Sequence, residues 1–411
     1  MTISLLGGLI FAARAALRSG QSQPIDQTLV DTVADQVSAV RQLPWKAKVT
    51  WRAVSPEEMK SLLREKAENI TDEERADLAA LGELLKYLRL FPPQTDIAEL
   101  YMSLVEEGTV GFFDPDTDEL FVRTSPKGLS LLDRVALAHE LAHALVNQHF
   151  DLKKLQQEVE RAGDSERSAA FHAFVEGDAS LVMIHWASRF LSSDDVRRFV
   201  DESQKMATDA IDSAPRIVRA WLEFPYTQGV EFARALQEAQ GWKGLDAAYS
   251  RLPISTKEIM HPEVYIDRVS NSARGNDTRA GVAPPPPTPG CKTIEEGVIG
   301  ELDLSLMLQE FVEVSVAERA ADGWAADRYR FEECGGKKLF RAVIQATGSL
   351  EAAELSNAWS QWIAGWSSSE GNYPLPSSFV SGLGGGESSG RGSTVSVILA
   401  DDLSLVRTIT L

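Results

Sequence analysis

The first part of the chain alternates between helical and extended patterns. Apolar residues recur with helical spacing in residues 26–41, and residues 46–54 (KAKVTWRAV) alternate as a strand does. Capping boxes at Ser55 and Thr71 predict the starts of two further helices. These signals predict a mainly helical N-terminal part, residues 26–107.

A hairpin followed by two long helices is predicted in the middle of the chain. Residues 109–123 (TVGFFDPDTDELFVR) contain two alternating apolar runs around the turn-forming segment DPDTD. Residues 130–150 and 165–191 both have helical spacing, and Ser130 precedes the first of these helices as a cap. The first hairpin strand, residues 110–113, is a candidate edge strand that could pair with an extended peptide.

The last part of the chain mixes strands, helices and segments of low complexity. In chain order we predict a Pro- and Gly-rich loop or linker at 271–290, a helix at 300–321, a hairpin at 327–347, an amphipathic helix at 350–366, a flexible Gly- and Ser-rich segment at 377–393 and two terminal strands at 394–411.

Together these elements predict an α+β protein with a C-terminal α/β portion of antiparallel strands. The predicted divisions are an apolar N-terminal segment at 1–25, the mainly helical part at 26–107, a core built on the hairpin and the two long helices at 108–270, a Pro- and Gly-rich loop or linker at 271–292 and the C-terminal portion at 293–411.

An N-terminal apolar run and two cysteines bear on where the protein resides. Residues 3–13 (ISLLGGLIFAA) are too few to span a bilayer and resemble the apolar region of a signal peptide, although no Lys or Arg precedes them. A secreted or cell-envelope protein is therefore favoured over a cytoplasmic one. The alternative is an amphipathic helix packed on the body, and the run could also contact a membrane. Cys291 and Cys334 could form one disulfide in an exported protein or remain free thiols in the cytosol.

The composition narrows the class of partner. Hydrophobic residues make up 44% of the chain and charged residues 25%, as in ordinary soluble globular proteins. The formal net charge of −19 repels phosphate backbones, so we expect no nucleic-acid partner. Two cysteines are too few for a zinc module with four Cys ligands. The sequence gives no prediction of the oligomeric state.

One short motif carries recognisable chemistry, HExxH in the segment AHELAHAL. His139 and His143 lie four residues apart, so on a helix they share a face and can offer two imidazole nitrogens to one Zn²⁺. Glu140 is one residue round the helix, where its carboxylate can act as a general base toward water. The small, apolar flanking residues favour a buried helix; the alternative is a partly exposed helix with incidental histidines.

A third metal ligand is expected in the next long helix, within FHAFVEGDA. Glu176 is the leading candidate because it is a charge among apolar residues, and Gly177 would let a neighbouring helix approach closely. Asp178 points away from Glu176 on a regular helix and could instead orient a ligand histidine from behind. His172, four residues before Glu176, is the rival third ligand or a group behind the ligands; otherwise it is a packing residue.

Five segments, taken in order, resemble a known family: HELAHALVNQHFDL, FVEGDA, FPYTQG, STKEIMHPEVY and DGWAADRY. They are similar to a family of bacterial and archaeal predicted metallopeptidases of the gluzincin type, in which HExxH lies on one helix and a Glu ligand on the next. The resemblance implies a zincin-like core with a small sheet, an active-site helix and a Glu-ligand helix. It implies one Zn²⁺ held by His139, His143 and Glu176, and it names no substrate.

The resemblance also implies a mechanism, the hydrolysis of a peptide or protein substrate with Glu140 as general base. Such enzymes stabilise the oxyanion with a His or Tyr from later in the chain, and the candidates here are Tyr226 and His261. Two alternatives stay open. The protein could be a catalytically inert zinc-binding or peptide-binding protein of the same fold, or a metal-free interaction protein.

Overall fold

The computed structural model describes residues 26–68, 70–108, 111–124, 129–204, 213–271, 278–368, 378–384, 394–401 and 405. Within these residues the protein is a mixed α+β structure with two separate sheets, as predicted. The apolar segment at residues 1–25 lies outside the described residues, so its assignment as a signal or anchor stays a prediction. No helix in the described part of the chain is both long enough and apolar enough to cross a membrane.

The N-terminal and middle parts are largely helical and contain the smaller sheet. Their elements are α1 (Gln27–Arg41), β1 (Thr50–Val54), α2 (Pro56–Glu68), α3 (Asp72–Tyr87), α4 (Ile97–Gly108), β2 (Gly111–Asp114), β3 (Glu119–Arg123), α5 (Leu131–Phe150), α6 (Leu152–Arg161), α7 (Ser165–Phe190), α8 (Ser193–Gln204), α9 (Arg216–Gln240), α10 (Trp242–Ala248), α11 (Thr256–Met260) and α12 (Pro262–Ser270).

The C-terminal part contains the larger sheet. Its elements are a 3₁₀ turn (Thr278–Gly281), β4 (Lys292–Gly297), α13 (Gly300–Leu308), α14 (Val314–Asp322), β5 (Trp324–Cys334), β6 (Lys337–Ala346), α15 (Ser349–Ser368), β7 (Ser378–Gly384) and β8 (Thr394–Ala400).

The smaller sheet has the strand order β1-β3-β2 and contains the predicted hairpin. β2 pairs antiparallel with β3, and β1 joins β3 in parallel on its other side. The hairpin is therefore confirmed for its described residues. The strand predicted for residues 46–54 is regular only from Thr50. Because β2 forms one edge of this sheet, the main-chain groups on its outer side are available to the helices beside it.

The larger sheet has the order β4-β5-β6-β8-β7, and all its neighbouring strands are antiparallel, as predicted for this part. The prediction of a flexible segment at 377–393 is wrong for Ser378–Gly384, because this stretch pairs along its whole length with β8. Cross-strand hydrogen bonds thus order it despite its Gly and Ser content. The predicted second terminal strand lies almost entirely outside the described residues.

The helix predicted for residues 300–321 is two helices, α13 and α14. Helix α13 ends at Leu308. Helix α14 begins at Val314, where the Glu313 side chain accepts a hydrogen bond from the Val316 amide. Phe311, in the break, packs on Trp362 of α15 with ring centroids 5.6 Å apart. The capping hydrogen bond and the aromatic contact therefore interrupt the helix at a place where the apolar periodicity of the sequence continues.

Two large buried apolar clusters hold the described residues together. One joins α2, α3 and α4 with the larger sheet and α15, and includes Trp324, Trp359 and Trp362. The other joins α1, α5, α7 and α9, and it surrounds the HExxH motif. The predicted domain boundaries stay a prediction.

A disulfide closes the start of the larger sheet. Cys291, just before β4, is bonded to Cys334 at the end of β5. The sequence left a disulfide and two free thiols as alternatives, and the structure has the disulfide. It ties the end of the Pro-rich segment to the hairpin of β5 and β6.

Candidate metal centre

Helix α5 begins with a capping box and carries the HExxH motif in its buried part. The Ser130 side chain accepts a hydrogen bond from the Asp133 amide, and the Asp133 carboxylate accepts one from the Ser130 amide. The four-residue spacing then brings the two imidazoles together, with His139 Nε2 and His143 Nε2 3.0 Å apart. His139 is fully buried, whereas His143 keeps some exposure to solvent. Two nitrogens that could ligate one ion therefore converge, as predicted.

Helix α7 supplies the third group. Glu176 Oε2 lies 3.2 Å from His139 Nε2 and 3.5 Å from His143 Nε2. The three ligand atoms all lie within 4.8 Å of one another, so they could hold a metal ion. We call His139, His143 and Glu176 the triad. Its two nitrogens and one carboxylate oxygen are a donor set that divalent zinc accepts.

Burial and mutual attraction set the protonation of the triad. Burial lowers the pKa of His139 to about 4, against the opposing effect of its hydrogen bond to Glu176. Burial alone would raise the pKa of Glu176, but the adjacent His143 and His139 more than offset it and lower the pKa. Burial acts to lower the pKa of His143, but the adjacent Glu176 more than offsets this and raises it. At neutral pH the site therefore offers an ionised carboxylate and a neutral His139, and a metal ion has to displace any proton that His143 holds.

Glu140 lies beside the triad and contacts the small sheet. Its Oε2 accepts a hydrogen bond of 2.8 Å from the main-chain amide of Phe113 in β2. Burial raises the pKa of Glu140 to about 7, although the nearby His143 and the Phe113 hydrogen bond act to lower it. A carboxyl group with a pKa near neutrality can both accept and return a proton. A Cβ added at Gly111 would come within 3.7 Å of the Glu140 side chain, so the strand edge and the carboxylate are close neighbours.

A close helix crossing brings Tyr226 to the triad. A Cβ built on Gly177 would lie 2.1 Å from the main-chain oxygen of Gly229, and one on Gly229 would lie 2.1 Å from that of Ala173. Only glycine lets α7 and α9 approach so closely, which confirms the prediction made for Gly177. Tyr226, three residues before Gly229, lies with its ring centroid 6.4 Å from that of His139. The crossing therefore places a phenol beside the candidate metal ligands.

Asp178 lies behind the triad in a buried network. The guanidinium of Arg41 donates hydrogen bonds to both of its oxygens, of 2.9 Å to Oδ1 and of 3.1 Å and 3.3 Å to Oδ2, and the Tyr249 hydroxyl donates one of 2.9 Å to Oδ2. Its negative charge acts to raise the pKa of His143. Asp178 therefore joins α7 to α1 and acts on the triad through charge, with its recorded hydrogen bonds going to Arg41 and Tyr249. The predicted bond to a ligand histidine is not among them.

The structure places His261 in a different cluster from the triad. His261 Nε2 lies 2.7 Å from Glu301 Oε1 and 3.5 Å from Asp322 Oδ1. Lys257 Nζ lies 3.0 Å from Glu301 Oε2 and donates a hydrogen bond of 2.5 Å to the main-chain oxygen of Asp322. We call these four residues the Lys257 cluster. Of the two oxyanion candidates, Tyr226 is therefore the one that lies beside the triad.

His172, the rival third ligand, is not a member of the triad. It is buried one turn before Glu176 on α7, and Glu176 takes the position beside both imidazoles. Two other histidines that could have been confused with ligands contact other groups: His149 Nε2 lies 2.8 Å from the Pro44 carbonyl oxygen, and His185 Nε2 lies 3.2 Å from Gln237 Oε1.

Two contacts of the site carried no usable signal in the sequence. The amide of Phe113 holds Glu140 through the main chain, which any residue but proline could provide. Arg41 lies 137 positions from Asp178 in the sequence. It is a basic residue in the last turn of a helix, where such residues are common, so nothing in the sequence marks it as a partner of Asp178. On α9, the glycine of the FPYTQG segment, Gly229, was the sequence feature that could have indicated the helix crossing.

Comparisons with known proteins do not add an assignment. No family model matches the chain, and neither the curated proteins nor the solved structures give a significant match. The resemblance to the gluzincins therefore rests on the motifs quoted above, and the function proposed below rests on the geometry of the triad and its neighbours.

Proposed function

We propose that the protein is a zinc-dependent metallopeptidase with a zincin-like core, in which α5 and α7 hold one Zn²⁺ through the triad. The observation that carries the proposal is the convergence of three ligand atoms within 4.8 Å beside a carboxylate that is not itself a ligand. Two His and one Glu form a ligand set of catalytic zinc, whereas structural zinc sites use four protein ligands.

Each neighbouring group has a role in this proposal. Zn²⁺ held by the triad would supply Lewis acidity toward a substrate carbonyl and toward water. Glu140, oriented by the Phe113 amide, takes a proton from the attacking water and passes it to the nitrogen of the leaving amine. The Tyr226 hydroxyl donates a hydrogen bond to the oxygen that becomes negative as the carbonyl is attacked.

The expected substrate is a peptide or a protein. The expected location is outside the cytoplasm, because the protein has a disulfide. β2, the edge of the smaller sheet, lies beside Glu140, where an extended peptide could run along it. The Cys291–Cys334 disulfide supports a secreted or cell-envelope location, since such bonds persist in oxidising compartments.

The substitution Glu140→Gln tests the proposal. It keeps the size of the side chain and its contact with Phe113 but removes the base, so zinc content should stay at the wild-type level. Hydrolysis of a peptide library, read by mass spectrometry, should fall by at least about 10²-fold. Glu238→Gln, at an exposed position on α9, is the matched control and should cleave as the wild type does.

Two results would contradict the proposal. Full activity of Glu140→Gln would remove Glu140 as the base. A wild-type protein that binds zinc yet cleaves no peptide, with and without o-phenanthroline, would instead be the inert zinc-binding protein that the sequence left as an alternative.

A further inference from the structure

His172 is a buried imidazole that the proposed reaction does not use. It lies on α7 four residues before Glu176, so the two side chains share one helix face. Both are almost completely buried, with exposed fractions of 8% for His172 and 7% for Glu176. The residues around it, Ala169, Ala173 and Phe174, are apolar and buried.

The Nε2 atom of His172 has no hydrogen-bond partner among the described residues. Buried polar atoms are nearly always paired, because they lose their hydrogen bonds with water on folding. An apolar side chain would fill the same space without this cost. The imidazole at this position therefore points to a partner interaction that is made only in another state of the protein.

Glu176 lies one turn along the same face of α7, and its carboxylate acts electrostatically on His172. Its Oε2 faces both imidazoles of the triad, and its second oxygen, Oε1, lies outside those two contacts. An ionised carboxylate has about four acceptor positions, so one oxygen can ligate an ion while the other accepts a hydrogen bond. Residues four apart on a helix can make such a bond by adjusting their side-chain rotamers.

The protonation of His172 suits this role. Burial lowers its pKa to about 4, and the attraction of Glu176 offsets this only in part. At neutral pH the ring is thus uncharged and carries one N–H donor. It can donate a hydrogen bond to a carboxylate without adding a positive charge next to a divalent cation.

We propose that His172 is a positioning residue for Glu176: its imidazole N–H donates a hydrogen bond to the Glu176 carboxylate when Zn²⁺ is bound, and so fixes the orientation of that ligand. The inference rests on the metal site of the proposed function but not on its peptidase activity. Hydrogen-bond partners of metal ligands commonly contribute about 10–100-fold to metal affinity.

The affinity of the purified full chain for Zn²⁺, measured by competition with a chromophoric chelator, tests this inference. His172→Phe keeps a ring of similar size and removes the N–H, and it should weaken zinc binding by about 10-fold or more. His172→Gln keeps an N–H donor and should recover a large part of the loss. His185→Phe, on the exposed side of the same helix, is the matched control and should bind zinc as the wild type does.

The melting temperature of the metal-free variants separates positioning from folding. His172→Phe should melt at or above the wild-type temperature without zinc, since it removes an unpaired buried nitrogen. If the phenyl ring does not fit, His172→Leu replaces it in the same comparison. The zinc-dependent rise in melting temperature should be smaller in either variant than in the wild type.

Two outcomes would overturn the inference. Zinc affinity of His172→Phe within about 2-fold of the wild type would leave the imidazole without this role. Equal, severe losses in His172→Phe and His172→Gln, together with normal zinc binding by Glu176→Gln, would make His172 itself the ligand. The metallopeptidase proposal fails separately, if the wild type binds no zinc or if zinc-loaded wild type cleaves no peptide.

Discussion

The triad and the Lys257 cluster contain the same kinds of ligand and differ in what surrounds them. Each brings histidine and carboxylate atoms within 4.8 Å of one another. The three side chains of the triad are buried or nearly so, and neither Lys nor Arg is among them. In the Lys257 cluster the ammonium group already lies against Glu301, and Asp322 is 65% exposed.

This difference shows why proximity of ligand atoms is a weak criterion for a metal site. In the Lys257 cluster the ammonium group of Lys257 already supplies a positive charge, so a metal ion would have to displace this side chain as well as solvent. In the triad the carboxylate of Glu176 has two imidazoles as neighbours, and Glu140 of α5 lies beside them with its side chain hydrogen-bonded to β2. A buried carboxylate site whose members include no Lys or Arg favours the binding of a cation from solution.

The largest expected effect separates the two clusters by metal binding. His139→Ala removes a ligand and should weaken zinc binding by more than the roughly 100-fold that loss of a partner behind the ligands can cost. His261→Ala should leave zinc affinity and stoichiometry unchanged. Isothermal titration with Zn²⁺ measures both; equal losses in the two variants would mean that the two clusters do not differ in metal binding.

The next effect concerns the oxyanion. Tyr226→Phe removes only a hydroxyl beside the triad and should lower kcat by about 10²–10³-fold with zinc retained, as for other single oxyanion donors. His261→Phe should leave kcat close to the wild-type value. Steady-state cleavage of a fluorogenic peptide checks the pair, and the reverse result would move the oxyanion donor to the Lys257 cluster.

A third prediction addresses the helix crossing that supports only the triad. Gly229→Ala places a methyl group 2.1 Å from the Ala173 oxygen in the starting structure, so α7 and α9 must separate. The free energy of unfolding should fall by about 1–3 kcal/mol, and zinc affinity should fall with it. Gly281→Ala meets no atom within 4 Å and should change stability by less than about 0.5 kcal/mol in the same denaturant titrations. Wild-type stability in Gly229→Ala would show that the crossing is not tight.

The smallest effect is a pH dependence of the Lys257 cluster. The hydrogen bond to Glu301, aided by the charge of Asp322, raises the pKa of His261 against partial burial and the charge of Lys257, and Glu263 lies 3.8 Å from its other nitrogen. Its stabilising contribution is therefore complete below the unfolded pKa of about 6.5 and is lost as pH rises through the higher folded pKa.

The comparison of His261→Asn with the wild type measures this contribution. The difference in their unfolding free energy should be within about 1 kcal/mol at acidic pH, as for other partly exposed pairs, and should shrink toward alkaline pH. A difference that grows with pH would mean that the folded protein favours the neutral imidazole.

The sequence predicted the triad because its signals are local. The HExxH spacing on a helix places His139 and His143 on one face. Glu176 was recognisable because it is a charged residue among apolar residues of a helix. The contacts of Asp178 with Arg41 and of His261 with Glu301 were not predicted, because they join residues 137 and 40 positions apart. Such pairs depend on how helices pack, and periodicity within one helix does not report this.

Contacts that periodicity does not report also account for the errors in the C-terminal part. A Gly- and Ser-rich composition predicted flexibility for Ser378–Gly384, but a neighbouring strand supplies the hydrogen bonds that order it. The apolar periodicity through residues 300–321 did not show that Phe311 packs against α15 or that Glu313 caps a new helix. At Ser378–Gly384 and at Phe311, partners distant in sequence decided the local structure, whereas the cap at Glu313 is a local contact that apolar periodicity does not report.

The direct contact between the backbones of α7 and α9 at two glycines has a mechanical consequence. The backbones touch at Gly177 and Gly229, next to Glu176 and three residues from Tyr226, so no compressible layer separates them. If the protein is the metallopeptidase that we propose, a displacement of α9 by a substrate at Tyr226 would be passed directly to α7 and Glu176. Zinc affinity and substrate affinity would then be thermodynamically coupled.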